Sequence, residues 1–414
     1  MSPLIYLREG QVSALFQQSK GPQNIVEGKA YEMDDYTVFH AYPQRAIIHP
    51  PGQAIPCNFV CLRSVNELKQ ASPNILEKLS KSGGARKALY LFFALDKGML
   101  SHESYLVDGA RDAIKCQIRF IPEQSDLYSR SKGLLETEAL ARKTVGIVGL
   151  GSGGSPIAVE LAKAGVGHFV LIDFDRLELS NVARHICGIN DLGRFKTFAI
   201  RDAILQKNPH ASIATLEVDV NKSRDECIGA LQKVDLLACA SDNDRSRFFL
   251  NEIALKFRIP TLFGRAITRA TGGDVLRVRP FQGPCYNCLY SQNVRQDGGD
   301  DEEISQREQA DALLPEYTSD QDIRAVIQVG LSSDIAPISN FMVKLALVEL
   351  SRGLDTGIKS LEQDLISDFY IWANRREQAY EQWSKMEFNF NKPSILRWYG
   401  ARVERDPNCM VCGV

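Results

Sequence analysis

The sequence has no long hydrophobic run. No apolar stretch approaches the roughly 20 residues that a membrane-spanning helix needs. It has no excess of one charge: 49 Lys and Arg stand against 51 Asp and Glu, a net charge of −2. Charge therefore gives no reason to expect nucleic acid or an anionic membrane as partner. The stretch Met1 to Gln11 has no basic segment leading into an apolar core. A secretory signal is not expected, and the default location is cytoplasmic. Internal repeats and low-complexity tracts are absent. One absence is local: ten cysteines are present, but none lies between Cys288 and Cys409.

What is present is ordinary for a globular chain, 44% hydrophobic and 24% charged over 414 residues. That length has room for two or three domains with sizeable cores. The most organised stretch runs from Lys143 to Asp173. Thr144 to Val148 is a short β-branched apolar run, as expected of a buried parallel strand. Gly149-Leu150-Gly151-Ser152-Gly153-Gly154 then fits G-x-G-x-x-G, whose glycines permit a tight turn and close approach to a phosphate. Ser155 reads as the N-cap of a following helix, with Pro156 where the first turn tolerates a missing N–H. Such a helix start offers free N–H groups and partial positive charge to an anion. The next strand, His168 to Ile172, ends at Asp173, placed as an acid that binds a ribose hydroxyl.

The cysteines contain two spaced pairs, Cys285/Cys288 and Cys409/Cys412. Without a secretory signal, such pairs point to metal before disulfide. The other six read mostly as small buried apolar residues. His40 and His49 flank a Pro-containing turn, but no acid-rich ligand spacing accompanies them.

In chain order, residues 1–121 read as a small accessory α/β domain. Strands are expected at Thr37–Ala41, Ala46–Ile48 and Asn58–Leu62, a helix at Val65–Ser82, and a helix and strand within Tyr105–Ile121. Residues 122–414 form the second domain, with strands and helices alternating from Lys143 as in an open doubly wound sheet. The expected fold class is thus α/β, a mostly parallel Rossmann-like sheet with a smaller N-terminal α/β domain. Gly273–Arg279 alternates as a half-exposed strand does. Gln296–Arg324 is a long polar insertion, and 291–325 reads as a mobile functional loop.

Glycine turns of this kind serve dehydrogenases, flavoenzymes and adenylating enzymes alike. Downstream residues decide between them. GLGSGGS, LIDFDRLELSNVARH, GRFK, ACASDN, PCYNC and the terminal CMVC occur in this order. Together, over about Leu127 to Cys412, they closely resemble the ThiF/MoeB-type adenylyltransferases, which include the adenylation domains of ubiquitin-activating enzymes. The resemblance implies a doubly wound domain that uses ATP to activate the C-terminal glycine of a ubiquitin-like or sulfur-carrier protein as an acyl-adenylate.

By that resemblance Gly149, Gly151, Ser152, Gly153, Gly154, Asp173, Asp175 and Asn181 hold the nucleotide. Arg184 and Lys196 contact the phosphates, and Asp242 holds Mg²⁺. Arg130, in Leu127-Tyr128-Ser129-Arg130, reaches the ATP of a neighbouring subunit in trans, which implies a homodimer. Cys285, Cys288, Cys409 and Cys412 form a closed structural zinc site. Many relatives carry a thioester cysteine in the loop after the first Cys pair; this chain has none there, which leaves Cys187 as a speculative thioester site. The N-terminal domain, an addition to the minimal family, is expected to recruit the protein substrate or a conjugating enzyme. A bacterial ubiquitin-like conjugation pathway is the expected setting, and sulfur transfer for cofactor biosynthesis the alternative. An NAD-dependent oxidoreductase would explain the glycines and Asp173 but not Arg184, Lys196, Asp242 or the cysteine pairs. An inactive scaffold would not need those residues intact.

Overall fold

The computed structural model describes residues 2–18, 25–33, 38–43, 52–81, 87–108, 113–121, 127–267, 270, 272–290, 330–374 and 395–413. The chain divides into two compact units, Met1–Ser129 and Arg130–Val414.

The first unit is built on an eight-stranded mixed sheet, in the order β7-β6-β5-β4-β2-β3-β1-β8. The strands are β1 (Leu4–Arg8), β2 (Ile25–Glu32), β3 (Val38–Tyr42), β4 (Gln53–Leu62), β5 (Ala88–Asp96), β6 (Met99–Val107), β7 (Ile114–Lys115) and β8 (Gln117–Ile121). Alternation along β4 and β5 supplies both faces, because successive side chains of a strand point oppositely. Phe59, Cys61, Leu91 and Phe93 pack with Val12 and Leu15 of the helix Glu9–Gln18. Val60, Phe92 and Ala94 pack with Leu68 of the helix Val65–Lys81. Ser64 starts that second helix by accepting the Glu67 N–H at 3.2 Å, an N-cap contact of the S-x-x-E kind. The helix expected within Tyr105–Ile121 is not found among the described residues. β6, β7 and β8 take most of the described part of that stretch, residues 109–112 lying outside the described residues, and their β-branched and aromatic residues favour the pleat. His40 stacks on Tyr6 at 5.3 Å, and burial lowers its pKa, as for a packing residue. His49 and the strand expected at 46–48 lie outside the described residues.

The second unit carries an eight-stranded sheet in the order β11-β10-β9-β12-β13-β14-β15-β16. Its strands are β9 (Thr144–Val148), β10 (His168–Ile172), β11 (Ser212–Leu216), β12 (Leu236–Cys239), β13 (Thr261–Ala266), β14 (Gly272–Val278), β15 (Phe369–Ala373) and β16 (Arg397–Ala401). β11 to β13 run parallel, and β14, β15 and β16 add antiparallel. The sheet is therefore mostly parallel, as the sequence implies, with an antiparallel extension at one side. Helices Gly154–Lys163, Lys196–Lys207 and Ser332–Leu350 share one core, and Arg224–Leu231 and Asp244–Phe257 share the core of the opposite face.

β14 corrects another expectation. It alternates in sequence, yet all seven residues are buried. Its polar members are paired instead of solvated. Asp274 takes Arg265 and the Tyr290 hydroxyl, and Arg277 takes Glu349 and Asp368. Buried charges persist where partners satisfy them. No described helix is long and apolar enough to cross a membrane.

Candidate active site

The strand order reverses between β9 and β12, and in open α/β sheets the crevice at that point takes ligands. The glycine turn follows β9 there. Gly149 has φ +84°, and a Cβ on it would lie 2.7 Å from the Ala240 carbonyl oxygen. A Cβ on Gly154 would lie 1.8 Å from the Gly149 oxygen, whereas one on Gly151 would meet nothing within 4 Å. Gly149 thus makes the turn, Gly154 packs the helix, and Gly151 leaves its side of the backbone open. Ser339 ties the turn from the far helix by donating to the Gly153 carbonyl at 3.0 Å.

Ser155 is not the N-cap. The helix begins at Gly154 with Gly153 as its cap residue, because the Ser155 N–H already bonds back to Gly151 O at 3.0 Å. No side chain caps this helix. The Ser155 N–H is taken and Pro156 has none, which leaves the Gly154 N–H of the first turn to face an anion.

Asp173 braces the turn. One carboxylate oxygen accepts the Leu150 N–H at 2.6 Å, the other the Asp175 N–H at 2.8 Å. Burial raises its pKa, and the Lys196 charge partly offsets this. Each oxygen keeps a lone pair for a ribose hydroxyl. Lys196 is buried and held twice by Asp175, through Nζ to Oδ2 at 2.6 Å and through its N–H to the Asp175 carbonyl at 3.0 Å. Asn181 Oδ1 accepts the Glu178 N–H at 3.0 Å, fixing the turn that leads to Arg184. Arg184 is half-buried; burial lowers its pKa while the charge of Asp242 opposes that shift. Asp242 itself is exposed, just past β12. Ser152 is half-buried on the turn.

The chain thus brings together the glycine turn, Asp173, Asp175 and Lys196, and places Arg184 within the field of Asp242. Arg130 is exposed on the turn Ser129–Ser131. Among the described residues it bonds to none of these groups. The stretch 291–325 lies outside the described residues.

Two site features escaped the sequence reading. His185, beside Arg184, bonds through Nε2 to the Leu150 carbonyl at 2.8 Å, while its Nδ1 accepts the Cys187 N–H at 3.0 Å. Nε2 therefore carries the hydrogen, and burial lowers the ring's pKa, so a neutral ring anchors the glycine turn. The second is Asn243, which caps the helix Asp244–Phe257 by accepting the Ser246 N–H at 2.8 Å. An Asn before an apolar periodic run is an N-cap signal that was open to view. Cys187 is buried, and burial pushes its thiol up to about 12. A nucleophilic cysteine needs the opposite setting, exposure and a depressed pKa.

Cys285, Cys288, Cys409 and Cys412 converge, with all four Sγ atoms within 4.8 Å of one another. The sulfurs are 3.7 Å apart for Cys285–Cys409, 3.7 Å for Cys285–Cys288 and 3.4 Å for Cys288–Cys412. A tetrahedral zinc with Zn–S near 2.3 Å needs sulfurs about 3.8 Å apart, so the cluster fits that ion. Burial pushes the Cys409 thiol up, but the backbone N–H groups of Cys412 and Val411 pull it further down, to about 7. Four sulfurs leave no open coordination position, which suits structure and not catalysis.

Residues 118–371 match the ThiF family. The chain is 34% identical over 152 residues to "Adenylyltransferase and sulfurtransferase MOCS3" of Drosophila virilis, covering 36% of this chain and 33% of that protein. It is 36% identical over 152 residues to the protein of the same description from Drosophila willistoni, with the same coverage. The matched part spans about a third of the length of these curated relatives. The solved structure of E. coli MccB with ATP is similar at 18% identity and a TM-score of 0.47, over 67% of this chain and 68% of that one. With more than half of its length matched, the chain belongs to the ThiF family.

Proposed function

We propose that this chain is an ATP-dependent adenylyltransferase that activates the C-terminal carboxylate of a ubiquitin-like or sulfur-carrier protein. The observation that carries this reading is one crevice holding an uncapped helix N-terminus, a ribose-suited acid and three further charges, Lys196, Arg184 and Asp242. Hydride transfer to a dinucleotide has no use for those three. Family membership supports the reading, as does the activity for which the relatives are named, adenylyltransferase and sulfurtransferase. That activity favours a sulfur carrier as substrate; ubiquitin-like conjugation, in a bacterial pathway, is the other arm of the proposal.

The reaction joins two anions. A carboxylate oxygen attacks the α-phosphorus, the bond to the β-phosphate oxygen breaks, and pyrophosphate leaves. The main cost is charge repulsion, so fixed cations and N–H dipoles lower the barrier. The glycine turn and helix start hold the phosphates, and Asp173 holds the ribose. Lys196 and Arg184 offset the charge on the phosphates, with Asp175 and Asn181 setting their positions. Mg²⁺ bound by Asp242 would supply further charge compensation. The four cysteines would hold Zn²⁺ as a structural ion. A thiolate on a partner then attacks the acyl carbon, the bond to the phosphate oxygen breaks and AMP leaves; Cys187 is not that nucleophile, since it is buried and protonated. In this reading Arg130 completes the site of a second copy in a homodimer. The N-terminal unit recruits the protein substrate or a conjugating enzyme, and 291–325 clamps the substrate tail.

The test is ATP–pyrophosphate exchange driven by glycine-ended ubiquitin-like proteins. Exchange should be lost in Asp242→Ala and in Arg130→Ala. Mixing the two variants should restore part of it, because one composite site is then intact. Exchange that needs no protein partner, or that survives Asp242→Ala, contradicts the proposal.

A further inference from the structure

Asp242 sits on a segment clamped on both sides. After it, Asn243 caps the helix Asp244–Phe257. Before it, the Ser241 carbonyl accepts Arg247 Nη2 at 2.6 Å. Arg247 Nη1 also donates to Asp244 Oδ1 at 2.9 Å, and that same oxygen accepts the Tyr286 hydroxyl at 2.6 Å. Tyr286 directly follows Cys285 of the four-cysteine cluster. Its N–H donates to Asn251 Oδ1 at 3.1 Å, and its ring packs against Phe263 at 4.8 Å and Tyr290 at 4.5 Å. An unbroken run of contacts therefore leads from the cysteine cluster through Tyr286, Asp244 and Arg247 to the peptide next to Asp242.

Stability alone does not call for this set. In the Arg247–Asp244 pair the arginine side chain is 5% exposed and the aspartate 39%, and a pair so open to water on one side stabilises little. Arg247 is 4% exposed and Tyr286 fully buried, so the desolvation cost is real. What the set supplies is geometry: a planar guanidinium fixes the Ser241 carbonyl relative to the Tyr286 ring. Magnesium demands near-ideal octahedral geometry, so a shifted carboxylate loses affinity.

We infer that Tyr286 and Arg247 are positioning residues that couple the four-cysteine cluster to Asp242 and so set the affinity of the ATP site for its divalent cation. The inference rests on the proposed role of Asp242 as cation ligand. It extends the function of the cysteine cluster from stability to the alignment of a site that it does not touch.

The test is equilibrium binding of Mn²⁺ in the presence of ATP, read from the paramagnetic resonance of free Mn²⁺. The full chain is used, and no protein partner is needed. Zinc content and thermal unfolding are measured on the same samples. Tyr286→Phe keeps the ring, and Arg247→Lys keeps the charge. Each should retain wild-type zinc and stay folded at the assay temperature, its unfolding temperature only slightly lowered by the lost hydrogen bond, while losing about 10-fold in Mn²⁺ affinity. Unchanged affinity in both variants overturns the inference and leaves the adenylation reading intact. Affinity lost only together with zinc or with the fold also overturns it, since a general structural role would suffice. If wild type and Asp242→Ala bind Mn²⁺ alike, the cation site itself is wrong, and the inference falls with it.

Discussion

Gly154→Ala and Gly151→Ala should fail in opposite ways, and the reason is visible in the glycine turn. A Cβ on Gly154 lies 1.8 Å from the Gly149 carbonyl oxygen and 2.9 Å from its carbon. Both are backbone atoms, so no rotamer relieves the clash. Gly149 is itself pinned by its N–H to the Ile172 carbonyl at 3.0 Å and by the Ala240 backbone beneath it. Helix propensity favours alanine by about 1 kcal/mol. Overpacking a closed site costs about 1–3 kcal/mol, and a backbone clash belongs at the upper end. The clash should win, with a net loss of about 2 kcal/mol and a fall in unfolding temperature of about 3 °C. Gly151→Ala has nothing within 4 Å of the new methyl, and Gly151 lies outside the left-handed φ region. Its unfolding temperature should match wild type. ATP affinity should fall about 10-fold to 100-fold, as expected when one charge-assisted hydrogen bond to a phosphate is lost. Calorimetric unfolding and equilibrium ATP binding read both effects. Gly154→Ala as stable as wild type, or Gly151→Ala binding ATP normally, would refute the assignment of packing to one glycine and phosphate approach to the other.

Three further outcomes follow from named contacts. Purified chain should carry one zinc, and Cys412→Ser should lose it and lower the unfolding temperature; a chain without zinc but of unchanged stability contradicts the structural-ion reading. Burial lowers the His185 pKa below 6.5. As pH falls below about 6.5 the unfolded chain takes up a proton that the folded chain refuses, so stability declines by at most about 1.4 kcal/mol per pH unit from this ring. His185→Gln should flatten that decline between pH 7 and pH 5, read by unfolding temperature, and an unaltered slope speaks against a buried neutral ring. Cys187 should resist iodoacetamide at pH 8 in the folded chain, because its thiol is buried and raised to about 12; rapid alkylation would reopen its use as a nucleophile.

The site was legible wherever the physics is local. A β-branched run, a glycine turn, a helix and an acid at the next strand end are set by near neighbours, and the structure places β9, the turn, β10 and Asp173 in that order. The cysteine pairs were legible through spacing, although 120 residues lie between Cys288 and Cys409. What was not legible depends on contacts across the fold. Ser155 looks like a cap until the Gly151 carbonyl claims its N–H. The β14 alternation looks half-exposed until Arg265 pairs across from β13 and Glu349 and Asp368 arrive from distant elements. Tyr286 reads as one more residue inside a metal motif, and nothing near it in sequence announces Asp244. The eight-stranded order of the first unit likewise rests on pairings such as β1 with β8, more than 100 residues apart.

The most direct measurement offers the chain and a glycine-ended carrier protein ATP labelled on either the α- or the γ-phosphate. Adenylation requires α-label to appear on the carrier with release of pyrophosphate, and Asp242→Ala to abolish it. Transfer of γ-label, or no transfer to any carrier by a chain that binds ATP, contradicts it.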